Sequence, residues 1–305
     1  MISTKTAPST TNTTASRAAI NAQIPSYLVA NNALFTQSEN IRQQFMANLW
    51  RKDKKGFYVN QQHSQGKYST DLDFSHYGYG YDSTQNSTLF GGYIPLNDQN
   101  ELHLGLGFSQ SKVTPKAIDG SSETRYKSVS FLLADQHQFN NGLLLNTHLG
   151  YHQHKGKVSA NGEKDIANIK SRQTQLGVGV GYSFTTGNFS IIPAAGLNYT
   201  YLKTKMENKQ QWQINPENLT VISPYIGANV VWENGITRLN VGAFYERNNH
   251  SASSVDIASS QQVQFNTGHI ADALRLNASV DFQITPQLNL AVYTNYQSSI
   301  GHAKY

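Results

Sequence analysis

The chain contains 305 residues, of which 38% are hydrophobic and only 14% are charged, and its formal net charge is +5. Soluble globular domains carry about 25% charged residues, so this composition leaves too little charge for an ordinary water-exposed surface. A mean hydropathy of −0.49, with no apolar run approaching about 20 residues, excludes a helical membrane protein. The class that remains is the transmembrane β-barrel, in which apolar and polar residues alternate one by one.

The composition also limits the chemistry of the protein. The absence of Cys excludes disulfide bonds, thiolate catalysis and zinc sites built on Cys. The net charge is modest and spread along the sequence, with no Lys/Arg-rich patch that suggests nucleic acid, so no nucleic-acid partner is predicted. The sequence contains no nucleophile elbow, phosphate-binding loop or cofactor fingerprint. It therefore predicts neither a cofactor nor an enzymatic activity.

Residues 1–23 are predicted to be a disordered linker, because they are rich in Ser and Thr and lack hydrophobic periodicity. The start of this segment lacks the basic region and the apolar region of a secretory signal. A protein that crosses the inner membrane needs such a signal. We therefore expect the chain to be the C-terminal piece of a longer precursor or the product of a disrupted reading frame.

Residues 24–48 contain the one good helical candidate. Apolar residues recur at mixed spacings of three, four and seven, and polar residues lie between them. A lone helix ahead of a long β region must be covered by other elements. The candidate pore-helix residues are Leu28, Asn31, Asn32, Leu34, Phe35 and Arg42.

Residues 49–305 show β patterning to the end of the chain. In residues 174–184 the even positions are apolar and the odd positions are small or polar, as expected of a strand between lipid and a wet lumen. The connections alternate between short turns and long loops, the latter at 113–124, 155–169, 204–219 and 248–271, which is typical of outer-membrane barrels. The predicted strands are 56–68, 77–96, 101–112, 125–139, 142–154, 172–184, 189–203, 220–232, 236–247, 272–284 and 288–298.

These strands predict an all-β fold, a transmembrane antiparallel barrel of about 12 strands preceded by one N-terminal α-helix. Their parity leaves residues 298–305 on the extracellular side, so we expect the closing strand to be missing. The expected lumen charges are Arg238, Glu246, Arg275 and Asp281, together with Lys127. We expect them to hold the helix by hydrogen bonds and ion pairs, and the alternative is that they only hydrate a pore.

The order of linker, helix and strands resembles the translocator (β) domain of autotransporters, the type V secretion proteins of Gram-negative bacteria. The resemblance is carried by IPSYLV at 24–29, NALF at 32–35, GGY at 91–93, LGLGFS at 104–109 and VDF at 280–282. It implies an outer-membrane barrel that is inserted by the barrel-assembly machinery into lipid. It also implies a helix threaded through the pore and an N-terminal passenger carried to the cell surface. The chain departs from the family pattern in lacking the passenger and the final strand that ends in an aromatic residue.

Two clusters carry a sharper alternative. In one branch of autotransporters, an Asn-Asn pair in the pore helix is cleaved when an Asn side chain cyclises, so Asn31 and Asn32 could be cleaved with help from Glu101, Glu246 or Asp281. We favour the interpretation that the pair is a polar helix cap. The side chains of His148, His152 and His154 share one strand face and could bind a metal, but we favour neutral lumen polarity and predict no metal site.

The sequence therefore predicts a non-enzymatic translocator domain in the outer membrane of a Gram-negative bacterium. Its mechanism would be passive, with passenger folding supplying the energy. A porin-like channel, an outer-membrane barrel enzyme and a soluble β-rich adhesin remain as alternatives.

Overall fold

The computed structural model describes residues 22–47, 56–69, 77–117, 120–209, 212–250, 254–258, 262–267, 270–285 and 288–300. Two helices come first, α1 (Ile24–Leu28) and α2 (Ala30–Met46). They are separated by the single turn residue Val29, so the predicted helix is divided in two. Within the described ranges, no helix combines the length and apolar character needed to cross a membrane. The predicted linker lies almost wholly outside the described residues.

The remaining elements are strands. Their bounds are β1 (Gly56–Tyr68), β2 (Tyr77–Pro95), β3 (Asn100–Ala117), β4 (Ser122–Gln138), β5 (Leu143–Ala160), β6 (Glu163–Tyr182), β7 (Phe184–Thr186), β8 (Phe189–Asn208), β9 (Gln213–Pro216), β10 (Leu219–Glu233), β11 (Thr237–Glu246), β12 (Asn249–His250), β13 (Ser254–Ala258), β14 (Gln262–Asn266), β15 (Asp272–Thr285) and β16 (Leu288–Ile300).

Eleven long strands form one antiparallel sheet in the order β1-β2-β3-β4-β5-β6-β8-β10-β11-β15-β16, with β7 and β12 as short additions. Each long strand pairs with the next long strand along the chain, which is the topology of an up-and-down barrel. The edge strands β1 and β16 approach within 8 Å between Cα atoms, but the described residues form no hydrogen-bonded ladder between them. The all-β, nearly closed barrel is confirmed. The missing closing strand concerns sequence beyond residue 305 and stays a prediction.

Along most of each strand the apolar side chains point away from the lumen. Leu176, Val178 and Val180 of β6 are 45–49% exposed, whereas Gln173 and Gln175 on the opposite face are buried. A soluble β-sandwich would bury the apolar face. The observed polarity is that of a barrel wall in contact with lipid.

The strands β3 to β8 are longer than predicted. They extend at the end of the barrel where long loops were predicted. The predicted loops at 113–124 and 155–169 are mostly strand, because β3 runs to Ala117 and β5 runs to Ala160. The β5–β6 connection is the two-residue Asn161–Gly162 turn, with φ values of 50° and 86°. An Asn-Gly pair with positive φ at both positions is the preferred tight hairpin turn. The predicted alternation of short and long loops is therefore wrong at these two places.

The polarity of the alternation reverses in this extension. In β5, His152 and His154 point into the polar lumen. Four residues after His154, Val158 also points inward and is fully buried, while Lys157 is exposed. Inward apolar residues of the extension pack on the N-terminal half of the helical segment. A separate three-stranded sheet, β14-β13-β9, is built from the two remaining outer connections, and its Ile214, Val255 and Ile257 join the same cluster.

Candidate functional site

The candidate site is the helical segment inside the barrel. Apolar contacts hold its N-terminal half. Leu28 and Leu34 are fully buried, and Phe35 is 4% exposed. They share one cluster with wall residues such as Val113, Val158, Ile169 and Leu202. Full burial of a Leu or Phe side chain stabilises by roughly 1.5–3 kcal/mol, so this cluster fixes the segment strongly but without directional contacts.

Asn31 and Asn32 bind the barrel rather than the helix terminus. The Asn31 Nδ2 group donates to the Glu217 carbonyl at 3.1 Å, and its Oδ1 atom accepts from Thr204 Oγ1 at 2.8 Å. The Asn32 Oδ1 atom accepts from the Tyr81 hydroxyl at 2.9 Å. The N-cap of α2 is Val29, which makes no side-chain cap hydrogen bond, so the cap interpretation is wrong. Cleavage between the two residues stays an alternative hypothesis.

The middle of the helix carries a buried cluster of four charges, Glu39 and Arg42 on α2 with Glu246 and Arg275 on the wall. Arg42 Nη2 lies 2.6 Å from Glu39 Oε2 and 3.5 Å from Glu246 Oε2. Arg275 Nη1 lies 2.5 Å from Glu246 Oε2, and its Nη2 lies 3.2 Å from Glu39 Oε2. Each side chain is no more than 7% exposed. Two cations thus neutralise two anions away from bulk water, as buried charges require.

The structure brings together three of the predicted charges and separates the others. Arg42, Glu246 and Arg275 meet in the cluster. Arg238 and Asp281 are buried and are direct cross-strand neighbours on β11 and β15, and their role in holding the helix stays a prediction.

The expected lumen position of Lys127 is wrong. It shares a strand face with Phe131, which is 55% exposed, and it is itself exposed on the outside of the barrel.

Glu39 was not among the predicted site residues, although its spacing to Arg42 is a recognisable signal. Residues three apart on a helix are surface neighbours and form ion pairs when their charges are opposite. Gln175 of β6 extends the cluster by donating from Nε2 to Glu39 Oε1 at 2.6 Å.

The histidines of β5 act as polar wall groups in this geometry. His154 lies between Ser38 of the helix, at 3.1 Å, and Ser128, at 2.7 Å. His152 lies between Ser130, at 2.7 Å, and Gln175, at 2.8 Å. His148 is buried, and neither ring nitrogen has a hydrogen-bond partner within the described part of the chain. Among the residues that the structure describes, no group of three or more His, Asp or Glu side chains is placed to hold a metal ion.

The C-terminal end of the helix packs against aromatic rings and small residues of the wall. Phe45 stacks on His103 with ring centroids 4.4 Å apart, and His103 stacks on Tyr93 at 4.3 Å. A Cβ atom added at Gly105 would lie 2.8 Å from the Phe45 ring, and one at Gly107 would lie 3.3 Å from Ile41 Cγ2. The two glycines of the 104–109 motif therefore make room for the helix.

This chain is similar in sequence and fold to known proteins. Residues 62–297 match the family model described as the autotransporter beta-domain. The fold is similar to the translocator domain of the autotransporter NalP from Neisseria meningitidis, with a TM-score of 0.71, 16% identity, and coverage of 90% of this chain and 93% of that one. It is also similar to the transport unit of the autotransporter AIDA-I from Escherichia coli, with a TM-score of 0.62, 12% identity, and coverage of 86% and 91%.

Among curated protein sequences, none matches the chain. The family model covers well over half of the sequence, and its match agrees with a nearly closed barrel around an internal helix. Members of this family are outer-membrane proteins of Gram-negative bacteria and do not form an enzyme class. The chain belongs to the autotransporter beta-domain family.

Proposed function

We propose that this chain is a non-enzymatic translocator domain that resides in the outer membrane of a Gram-negative bacterium. In this function the barrel-assembly machinery inserts it into lipid, and it exports and anchors a passenger joined N-terminally to the helical segment. The observation that supports this proposal is the path of the chain through the lumen. Residue 22 lies beside the β3–β4 turn, where a Cβ atom added at Gly120 would be 3.4 Å from Ala22 Cβ. The helix then runs down the lumen to Phe45 beside β3.

The proposed protein has three domains. They are a linker over residues 1–23, a pore-spanning helix over 24–48 and a barrel over 49–305. A passenger attached before residue 24 would leave the barrel at the end that carries the strand extensions and the three-stranded sheet. That end is the cell exterior in the proposed orientation. The barrel and the helix guide and anchor the passenger. Folding of the passenger outside the cell supplies the driving force for export.

The proposal is tested by placing a secretion signal and an epitope tag ahead of residue 1 of the full chain and labelling intact cells with an antibody. We expect surface label that proteinase treatment of intact cells removes. A matched chain with the same signal and tag but ending at residue 48 supplies the control and is expected to give no surface label. A tag that becomes accessible only after the outer membrane is broken would contradict the proposal.

A porin-like channel predicts a different result in planar bilayers. The helical segment occupies the lumen of the described barrel from Ile24 to Phe45, so the intact chain is expected to conduct poorly. Deletion of residues 1–48 is expected to raise the single-channel conductance. An intact chain with the large conductance of an open pore would favour the porin alternative.

A further inference from the structure

The outside of the strand extensions carries a basic surface that the export function does not use. Its ten exposed cations lie on five consecutive strands of the sheet, and they are Lys112, Lys116, Arg125, Lys127, Lys155, Lys157, Lys170, Arg172, Lys203 and Lys205. We call these ten residues the basic belt. The six remaining long strands, β1, β2, β10, β11, β15 and β16, carry no comparable cluster within their described residues. The belt therefore covers one side of the barrel.

Strand register aligns the cations of the belt into rows. Lys127 pairs with Lys155, Lys155 pairs with Lys170, and Lys170 pairs with Lys205. A second row joins Lys112, Arg125 and Lys157. Directly opposed residues of antiparallel strands have Cβ atoms about 4.5–5.5 Å apart, and like charges in that position destabilise the sheet.

The carboxylates near the belt neutralise only part of it. Glu123 lies 2.7 Å from Lys112 and 2.8 Å from Arg125, and Asp165 lies 2.7 Å from Lys157.

Two further carboxylates pair with cations of the belt. Glu207 lies 3.2 Å from Lys170, and Asp82 lies 3.3 Å from Lys116. Over the described residues, no carboxylate pairs with Lys127, Lys155 or Lys205. The row of four lysines thus has one ion-paired member and three without an anionic partner among the described residues, so a bound external anion would offset their repulsion.

The position of the belt indicates where that anion comes from. On β5 the outward side chains run from Leu149 and Tyr151 to Lys155 and Lys157, and on β4 they run from Phe131 to Lys127. Successive outward residues are about 6.6 Å apart along a strand, so the cations begin within one or two steps of the lipid-facing band. Five cations of the belt also line a depression of about 910 Å³, together with Ser and Asn side chains and the carboxylates of Glu123 and Asp165; they are Lys112, Arg125, Lys127, Lys155 and Lys157.

We propose that the basic belt binds the phosphorylated headgroup of an outer-leaflet lipid that carries two or more phosphate groups, with its acyl chains against the neighbouring apolar band. This inference rests on the proposed outer-membrane placement. The phosphates lie between opposed lysines and convert a repulsive row into a set of charge-assisted hydrogen bonds. Cations at a lipid surface are the usual means of recognising anionic headgroups.

The experiment compares two double variants of the full chain refolded in a neutral detergent. K127Q/K155Q removes two opposed lysines of the belt, and K67Q/K209Q removes the same charge at exposed positions outside it. The probes are bisphosphorylated lipid A, the same glycolipid without phosphates, and inorganic phosphate at matched phosphate concentration. Native mass spectrometry measures bound lipid, and the thermal unfolding midpoint measures stability.

We expect bisphosphorylated lipid A to bind the wild type and K67Q/K209Q equally. We expect it to bind K127Q/K155Q about thirtyfold more weakly, because each of the two lost cations contributes a similar share of the binding free energy at an anionic lipid surface. Without lipid, K127Q/K155Q is expected to unfold at a higher temperature than the wild type because a repulsive pair is gone. Equal lipid binding by the two variants would overturn the proposal. So would equal binding of the phosphate-free glycolipid, or the same stabilisation by inorganic phosphate, which would indicate a site for free anions. Surface labelling of the tagged chain tests the export function separately.

Discussion

Arg275 offers the sharpest test of how the helix is held. It contacts both carboxylates of the charge cluster, with 2.5 Å from Nη1 to Glu246 and 3.2 Å from Nη2 to Glu39. In Arg275→Met, two buried carboxylates face Arg42 alone, and the cluster carries an uncompensated negative charge. Removing one partner of a buried ion pair costs about 3–5 kcal/mol. We expect the free energy of unfolding to fall by that amount.

A second variant decides whether the charge balance or the side chain itself is responsible. Glu246→Met with Arg275→Met removes one anion and one cation from the wall and leaves the Glu39–Arg42 pair neutral. Replacement of a whole buried ion pair by apolar residues is often neutral, so the double variant is expected to be more stable than Arg275→Met by about 2 kcal/mol or more. The exposed Arg247→Met serves as a control and is expected to change stability by less than about 0.5 kcal/mol.

Urea unfolding in detergent, followed by the gel shift between folded and unfolded barrel, measures these differences. Planar-bilayer conductance reports whether the helix leaves the lumen, and Arg275→Met is expected to open more often than the double variant. A double variant that is as unstable as Arg275→Met would refute the reasoning, because the loss would then come from packing and not from charge imbalance.

Three further changes probe the contacts along the helix. Gly105→Leu places a side chain where Phe45 lies and is expected to raise the single-channel conductance by displacing the inner end of the helix; an unchanged conductance would contradict the described seat. Leu34→Ala leaves a cavity in the outer apolar cluster and is expected to cost about 2–5 kcal/mol in urea unfolding. Ser38→Ala removes the contact to His154 and is expected to cost about 1 kcal/mol, and an effect as large as that of Leu34→Ala would show that the hydroxyl does more than this.

The lipid-facing part of the barrel could be predicted because the membrane imposes one rule on every strand. Leu176, Val178 and Val180 alternate with small or polar residues, and the structure exposes them on the outer surface. The strand extensions escaped prediction because the same period of two continues with its faces exchanged. Lys157 points outward and Val158 points inward. A prediction based on outward apolar residues does not identify a segment with this inverted pattern as a strand.

The basic belt could not be predicted from spacing along the chain. Lys127, Lys155, Lys170 and Lys205 are far apart in sequence, and only the register of β4, β5, β6 and β8 makes them neighbours. The helix contacts are partly readable in the sequence. The spacing of Glu39 and Arg42 indicates an ion pair on one helix face, but the choice of Glu246 and Arg275 as wall partners depends on barrel geometry.

The two halves of the helix are held by different physics, and together they fix its position along the pore. Apolar contacts such as those of Leu34 are non-directional, so the outer cluster alone would tolerate sliding or rotation of the helix at modest cost. The charge cluster tolerates neither. A shift of one helical turn is about 5.4 Å, which would break the two ion pairs that join helix to wall, Arg42 with Glu246 and Arg275 with Glu39, and divide the cluster into two separate buried pairs. Withdrawal of the helix therefore requires both ion pairs between helix and wall to break before the apolar contacts are replaced, so a helix that has reached this register is expected to remain in the lumen.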